Sequence, residues 1–143
     1  MRIVLDVNIL ASAAGSREGL PFQVFALSLA NPHKLVLSEE MIVSLEEVLR
    51  RPYFAKAVSD AEPTAFLASV QRNNSSVSPD PRVTGVADDE EDDRVLGTAV
   101  AGRADIIVTG DKGMLAIGNF VGIPIVTART FLDLVDARPA FTA

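Results

Sequence analysis

The stretch "DEEDDRVLGTAVAGRADIIVTGDKGML", residues 89–115, changes its hydrophobic period halfway along, and that change indicates the fold. From about Asp92 the pattern "DRVLGTAVAGRA" is helical, with Val95, Leu96, Ala99 and Val100 on one side. It gives way to "IIVT", a short apolar run of strand type that closes on Gly110 and Asp111, and "KGMLAIG" then reads as a short helix or turn. A helix delivered into a strand that ends abruptly in an acid is one unit of a parallel α/β sheet. The start of the chain repeats the ending: "RIVL" (2–5) is a β-branched run that stops at Asp6, with a helical segment, "VNILASAA", directly after it.

Working outward, "GSREGLP" (15–21) is a loop, and Pro21 stands near the start of a helix through "FQVFALSLA". "NPHK" ends that helix and "LVL" (35–37) is the second strand. Ser38 is the N-cap of a helix reaching about Arg50, with Met41, Leu45, Val48 and Leu49 on its apolar face, and Pro52 breaks it. "YFAKAV" reads as a further turn or two, and Ser59 or Asp60 as the cap of a helix through "AEPTAFLASVQRN". A short edge strand near Val77, a polar loop, a last strand "IPIVT" and a final helix "ARTFLDLVDA" complete the pattern. Strands alternating with helices predict an α/β domain. The expected architecture is a three-layer α/β/α sandwich around a mostly parallel central sheet of four to five strands, one domain spanning residues 1–143.

Composition narrows the chemistry. Hydrophobic residues make up 48 % and charged ones 22 % of the 143, as in a globular protein. The formal net charge of −6 equals the contribution of one run, Asp88 to Asp93, since 19 acidic residues stand against 13 basic ones. An acidic chain is a poor bulk binder of nucleic acid, because affinity there comes largely from cations that displace counterions. It remains compatible with a carboxylate cluster that holds divalent metal, which reverses the local field. There is no cysteine, which excludes disulfides, thiolate catalysis and cysteine zinc sites, and the one histidine, His33, sits in a turn. Asp6 and Asn8 interrupt the first apolar stretch, which therefore does not read as a signal peptide, and no apolar run approaches the length that spans a membrane. The expectation is a soluble cytoplasmic protein with no membrane partner.

In a parallel sheet, ligands collect beyond the carboxyl ends of the strands, at the point where strand order reverses. Two strands here end in aspartate, Asp6 and Asp111. Either alone is equally a helix cap or a turn residue. Two at the same sheet edge repel one another, and a cation relieves the repulsion. Oxygen ligands suit Mg²⁺ or Mn²⁺. The acidic run is the source of a third ligand, but acids are also favoured in the first turn of a helix by its dipole, so composition alone does not choose among the six.

Four blocks in order resemble the PIN-domain family, of the VapC-like kind found as the toxin ribonuclease in toxin–antitoxin pairs. They are "VLDVNILASA" (4–13), "LVLSEEMIVSLEEVLRRPYF" (35–54), and the two halves of "DEEDDRVLGTAVAGRADIIVTGDKGML" (89–115). The resemblance implies Asp6, Asp92 and Asp111 as the catalytic acids and metal ligands. Asn8 and Thr109 would be polar helpers, and Asp89 and Asp93 outer partners. It further implies a Mg²⁺- or Mn²⁺-dependent endoribonuclease that hydrolyses phosphodiester bonds in single-stranded RNA, a small antitoxin as protein partner, and a homodimer. Lys112 and Arg17 are candidate phosphate contacts by position, against the commoner role of surface cations.

The resemblance departs at one residue. The family's Glu before the Leu of "LEEVL" is here Ser44, so its fourth acid has no counterpart. Glu40 and Glu47 lie one turn to either side on the same helix face, displaced by roughly 6 and 4.5 Å along the axis. Glu40 is a candidate metal ligand, either could replace the missing acid, and solvated helix charge is the commoner role of such residues. The alternative reading that Ser44 keeps open is a catalytically weak PIN-like module that binds RNA or a protein. A phosphate-handling fold with Asp6 as nucleophile fits less well, because "DVN" lacks the second aspartate of an Asp-x-Asp motif.

Overall fold

The computed structural model describes residues 1–52 and 61–136. Among them the strands are β1 (Arg2–Leu5), β2 (Lys34–Ser38), β3 (Asn74–Val77), β4 (Ile106–Val108), β5 (Asn119–Phe120) and β6 (Ile123–Val126). The helices are α1 (Val7–Gly15), α2 (Leu20–Leu29), α3 (Glu39–Leu49), α4 (Ala61–Asn73), α5 (Glu90–Ala101), α6 (Lys112–Ile117) and α7 (Ala128–Asp136). The strands form one sheet in the order β3-β2-β1-β4-β6-β5, parallel throughout except for the last pair. The α/β class and the mostly parallel sheet are as the sequence predicts. The sheet has one strand more than expected, because Asn119–Phe120 turns through Val121 and Gly122, both at positive φ, and pairs antiparallel with β6. A two-residue strand leaves no periodic signal, so "IGNFVG" carries no mark of it.

The unbroken apolar runs are the buried centre. Ile3–Leu5, Leu35–Leu37 and Ile106–Val108 are at most 2 % exposed, as strands covered on both faces must be. At the sheet edge, β3 is mostly polar (Asn74, Ser75 and Ser76 before Val77), and none of its residues is buried. Helices α1 to α4 pack mainly on one another, with α7 against α2 and the fully buried Phe131 as its anchor. Helix α5 lies across β1 and β2. Because α5 belongs to the crossover that returns the chain from β3 to β4, right-handed connection places it on the opposite face. Ser38 caps α3 by accepting from Met41 N–H, as its position predicts. The expected turn at "YFAKAV" and the caps at Ser59 and Asp60 lie outside the described residues. No helix among the described residues is long and apolar enough to cross a membrane.

This topology positions the site. The chain leaves β1 toward β2 and β3, then returns across the sheet to β4 and β6, so strand order reverses between β1 and β4. Leu5 and Val108 are register partners, and the residues that follow them, Asp6 and Thr109, emerge side by side at the carboxyl edge.

Candidate active site

Asp6 is the N-cap of α1, its Oδ1 accepting from Val7 N–H at 2.7 Å. Its Oδ2 accepts from the Thr109 hydroxyl at 2.6 Å, and both residues are buried. The Thr109 oxygen in turn accepts from Asp111 N–H at 3.0 Å. Asp111 caps α6 by accepting from Met114 N–H, and Asn8 Oδ1 accepts from Gly110 N–H at 3.3 Å. Capping and site geometry therefore coincide: each carboxylate is anchored by one oxygen to a helix start, and Thr109 ties the two strand ends together.

The acidic run divides by direction. Helix α5 begins at Glu90, two residues earlier than the sequence pattern suggests, because Asp89 is its N-cap and accepts from Asp92 N–H at 2.8 Å. Asp92 is thus a first-turn residue, and its neighbour Asp93 faces elsewhere. The buried Asp93 carboxylate accepts from Gly85, Val86 and Ala87 N–H at 2.8, 3.1 and 2.8 Å, bonds that hold its pKa below the ordinary carboxylate value. It anchors the loop before α5. That loop also lies on α5 at Gly97, where a Cβ would stand 3.0 Å from the Asp80 carbonyl oxygen. Asp88 lies near Asp111: a Cβ on Gly113 would be 2.6 Å from Asp88 Oδ2 and 3.2 Å from Asp111 Oδ2, so a side chain there would displace the exposed Asp88 carboxylate.

Asp6, Asp92 and Asp111 line one cavity of about 400 Å³ together with Asn8, Ser12, Val48, Arg51 and Glu91. Burial raises the pKa of Asp6, assisted by the Asp111 and Glu91 charges and opposed by the Thr109 and Val7 hydrogen bonds. Asp92 is pushed up from 3.8 to about 7, first by burial and then by the charges of Asp89, Asp6, Asp111 and Glu91. Its carboxyl receives no hydrogen bond from the described residues. The folded protein therefore holds a proton on Asp92 more tightly than the unfolded chain does between about pH 4 and 7. In chelator, stability should fall as pH rises through that window, and Asp92→Asn should flatten the fall. Thermal midpoints from pH 4.5 to 8 measure this, and an unchanged slope in the variant would assign the titration to another group.

Of the sequence candidates, Asp89 is an exposed cap beside Asp92 and Asp93 a loop anchor; neither lines the cavity. Glu40 and Glu47 are exposed on α3 and are likewise absent from its described lining, as is the half-buried Ser44. Helix α3 and the turn after it instead contribute Val48 and Arg51, four and seven residues beyond Ser44. Helical spacing from Ser44 is the signal that would have found them. Glu91 was hidden by its neighbours in the run. Lys112 and Arg17 are exposed, and Arg17 borders a separate cavity beside Phe22, Phe25 and Phe66.

The donor set is all oxygen, which suits Mg²⁺ or Mn²⁺ rather than softer metals. Asp6 and Asp92 share one cavity with Asp111 and Glu91, and a divalent cation would relieve the repulsion that adds to burial in raising both pKa values. Among the described residues, no three His, Cys, Asp or Glu side chains are gathered closely enough to hold a metal ion as they stand. A metal held by these acids would require side-chain movement, for which Asp92, with no hydrogen bond at its carboxyl from the described residues, is the freest of the three.

An acidic cavity at the switch point of a parallel α/β sheet lies where such folds bind their ligands. The PIN domain family model matches residues 2–113, and the chain belongs to that family. No curated protein matches it in sequence. Several solved structures share the fold, three of them as follows. PAE2754 from Pyrobaculum aerophilum is 17 % identical with a TM-score of 0.67, over 96 % of this chain and 91 % of that one. VapBC2 from Rickettsia felis, bound to a DNA fragment from its promoter, is 14 % identical with a TM-score of 0.62, over 89 % and 98 %. VapC20 from Mycobacterium tuberculosis, a toxin that cleaves the sarcin–ricin loop, is 12 % identical with a TM-score of 0.57, over 85 % and 98 %.

Proposed function

We propose that this protein is a metal-dependent endoribonuclease, the toxin of a toxin–antitoxin pair, which hydrolyses phosphodiester bonds in single-stranded RNA. The observation that carries the reading is the convergence of Asp6, Asp92 and Asp111 on one cavity at the sheet's switch point. Membership of the PIN-domain family and the shared fold with an RNA-cleaving toxin support RNA as the substrate. In the reaction, water adds to phosphorus while the bond to one ester oxygen breaks.

Asp6, Asp92 and Asp111 would hold Mg²⁺ or Mn²⁺, which supplies a more acidic water and positive charge for the phosphoryl oxygens. The chain's own groups set the geometry. Thr109 fixes Asp6 Oδ2, and each bonded carboxylate oxygen retains a lone pair for a further partner. Asn8 holds the Gly110 turn so that Asp111 stays at the cavity wall. Val48 gives the cavity an apolar side chain at the end of α3. The same reading gives a small antitoxin protein as partner, a homodimer as the assembled form, and the cytoplasm as the place of action.

Cleavage of a labelled single-stranded RNA is expected with Mn²⁺ or Mg²⁺, to stop on chelation and to resume when metal is restored. The open arrangement of the carboxylates and the absence of an acid at Ser44 favour a second reading, an RNA-binding module that does not cleave. Intact RNA retained by the protein at high Mn²⁺ would select that reading. Cleavage that persists in chelator would reject metal dependence.

A further inference from the structure

We infer that Arg51 is a substrate-binding residue of this site, gripping a phosphate of the RNA next to the bond that is cut. The inference rests on the ribonuclease reading above and adds to it the group that draws a polyanion into an acidic cavity. The described lining carries four carboxylates, Asp6, Asp92, Asp111 and Glu91, and one cation, Arg51. Negative charge of that density repels RNA unless positive charge is presented in the same cavity.

Arg51 is free to meet that need. The ion pairs among the described residues are Arg50 with Glu46, Arg82 with Asp80 and Arg94 with Glu90; Arg51 takes part in none of them. Its neighbour Arg50 is committed to the outer side of α3 through the Glu46 pair, whereas Arg51 is held by its backbone, Arg51 N–H donating to the Val48 carbonyl, in the turn that borders the cavity. An arginine beside four carboxylates that pairs with none of them keeps its whole donor fork for an incoming anion. A guanidinium presents planar paired donors that match two oxygens of a phosphodiester, a geometry that lysine cannot reproduce. Val48 and the exposed Asn8 and Ser12 line the same cavity and add an apolar edge and two neutral polar groups suited to a ribose.

The test uses the full chain with Mn²⁺ and a labelled single-stranded RNA, comparing wild type, Arg51→Ala and Arg51→Lys. Arg51→Ala is expected to raise KM about tenfold or more, the usual weight of a charged hydrogen bond, with kcat changed far less. The plot of log(1/KM) against log salt should become shallower by about 0.7, the share of one single-strand phosphate contact. Arg51→Lys should keep the wild-type salt slope while recovering only part of the affinity. An unchanged KM and slope in Arg51→Ala overturns the inference, and so does a fall in kcat with KM intact. Should Arg51→Ala melt markedly lower, Arg51→Gln, which keeps the length and a polar head, replaces it with the same expected loss of slope. Failure of the wild type to cleave overturns the ribonuclease reading and this inference together.

Discussion

Asp6→Asn is expected to cleave RNA about 100-fold or more slowly than the wild type, while its metal-free form melts at the same temperature or higher. Loss of an outer partner of a metal ligand alone costs about 10–100-fold in affinity or activity, so loss of the ligand's charge costs at least as much. The stability side has the opposite sign. Burial and the Asp111 and Glu91 charges raise the Asp6 pKa, so ionising it costs more in the folded protein than in the unfolded chain. Asparagine removes that charge and remains a good N-cap for α1, its Oδ1 able to accept from Val7 N–H. Its Nδ2 can donate to the Thr109 oxygen, which keeps one lone pair beside the Asp111 N–H bond. A faster or equal cleavage rate in the variant, measured as kcat/KM at matched folded concentration, would place the chemistry outside this cavity. A large fall in thermal midpoint would show instead that the carboxylate is structural. Functional sites that trade stability for activity respond as expected here.

Thr109→Val is expected to harm both stability and cleavage. The hydroxyl is fully buried, donates to Asp6 Oδ2 and accepts from Asp111 N–H. Valine keeps the branched shape and strands both partners, at a cost of about 1–3 kcal/mol for buried polar groups left unpaired. For a chain of this size that lowers the thermal midpoint by about 2–4 °C per kcal/mol. Because the Thr109 bond favours the charged form of Asp6, its loss raises that pKa further and shifts the rise of cleavage with pH to higher pH. Activity at neutral pH should drop about 10–100-fold, as for other partners that orient a metal ligand. Thr109→Ser, which restores the hydroxyl, should recover the pH profile even if packing suffers. A Val variant with the wild-type pH profile would sever the link between Thr109 and Asp6.

Much of this was legible in the sequence because its signals are local. The apolar runs at Ile3–Leu5, Leu35–Leu37 and Ile106–Val108 announce buried parallel strands, and Ser38 announces a helix start. Asp6 and Asp111 could be assigned to one edge once their strands were known to be parallel. What could not be read depends on which way a side chain leaves the backbone. Asp89, Asp92 and Asp93 are chemically alike and adjacent, and only the start of α5 at Glu90 decides that one caps, one faces the cavity and one holds a loop. The contribution of Arg51 was hidden for the same reason, since it stands beyond the last helical turn of α3 and beside a second arginine.

The grip of Asp93 on Gly85, Val86 and Ala87 gives the acidic run a grammar in which order outweighs content. Successive residues of a helix point about 100° apart, so a shift of one position would send the loop anchor toward the cavity and the cavity acid toward the loop. Shuffling Asp88 to Asp93 would leave the net charge at −6 and an acid at every position, yet it can set the longer Glu at 92 or 93, where the reach to the cavity or to three backbone amides is that of Asp. Insertions and deletions within these six residues are therefore far less tolerable than their low complexity suggests, whereas a change of sign at an exposed member such as Glu90 leaves the assignment of tasks untouched.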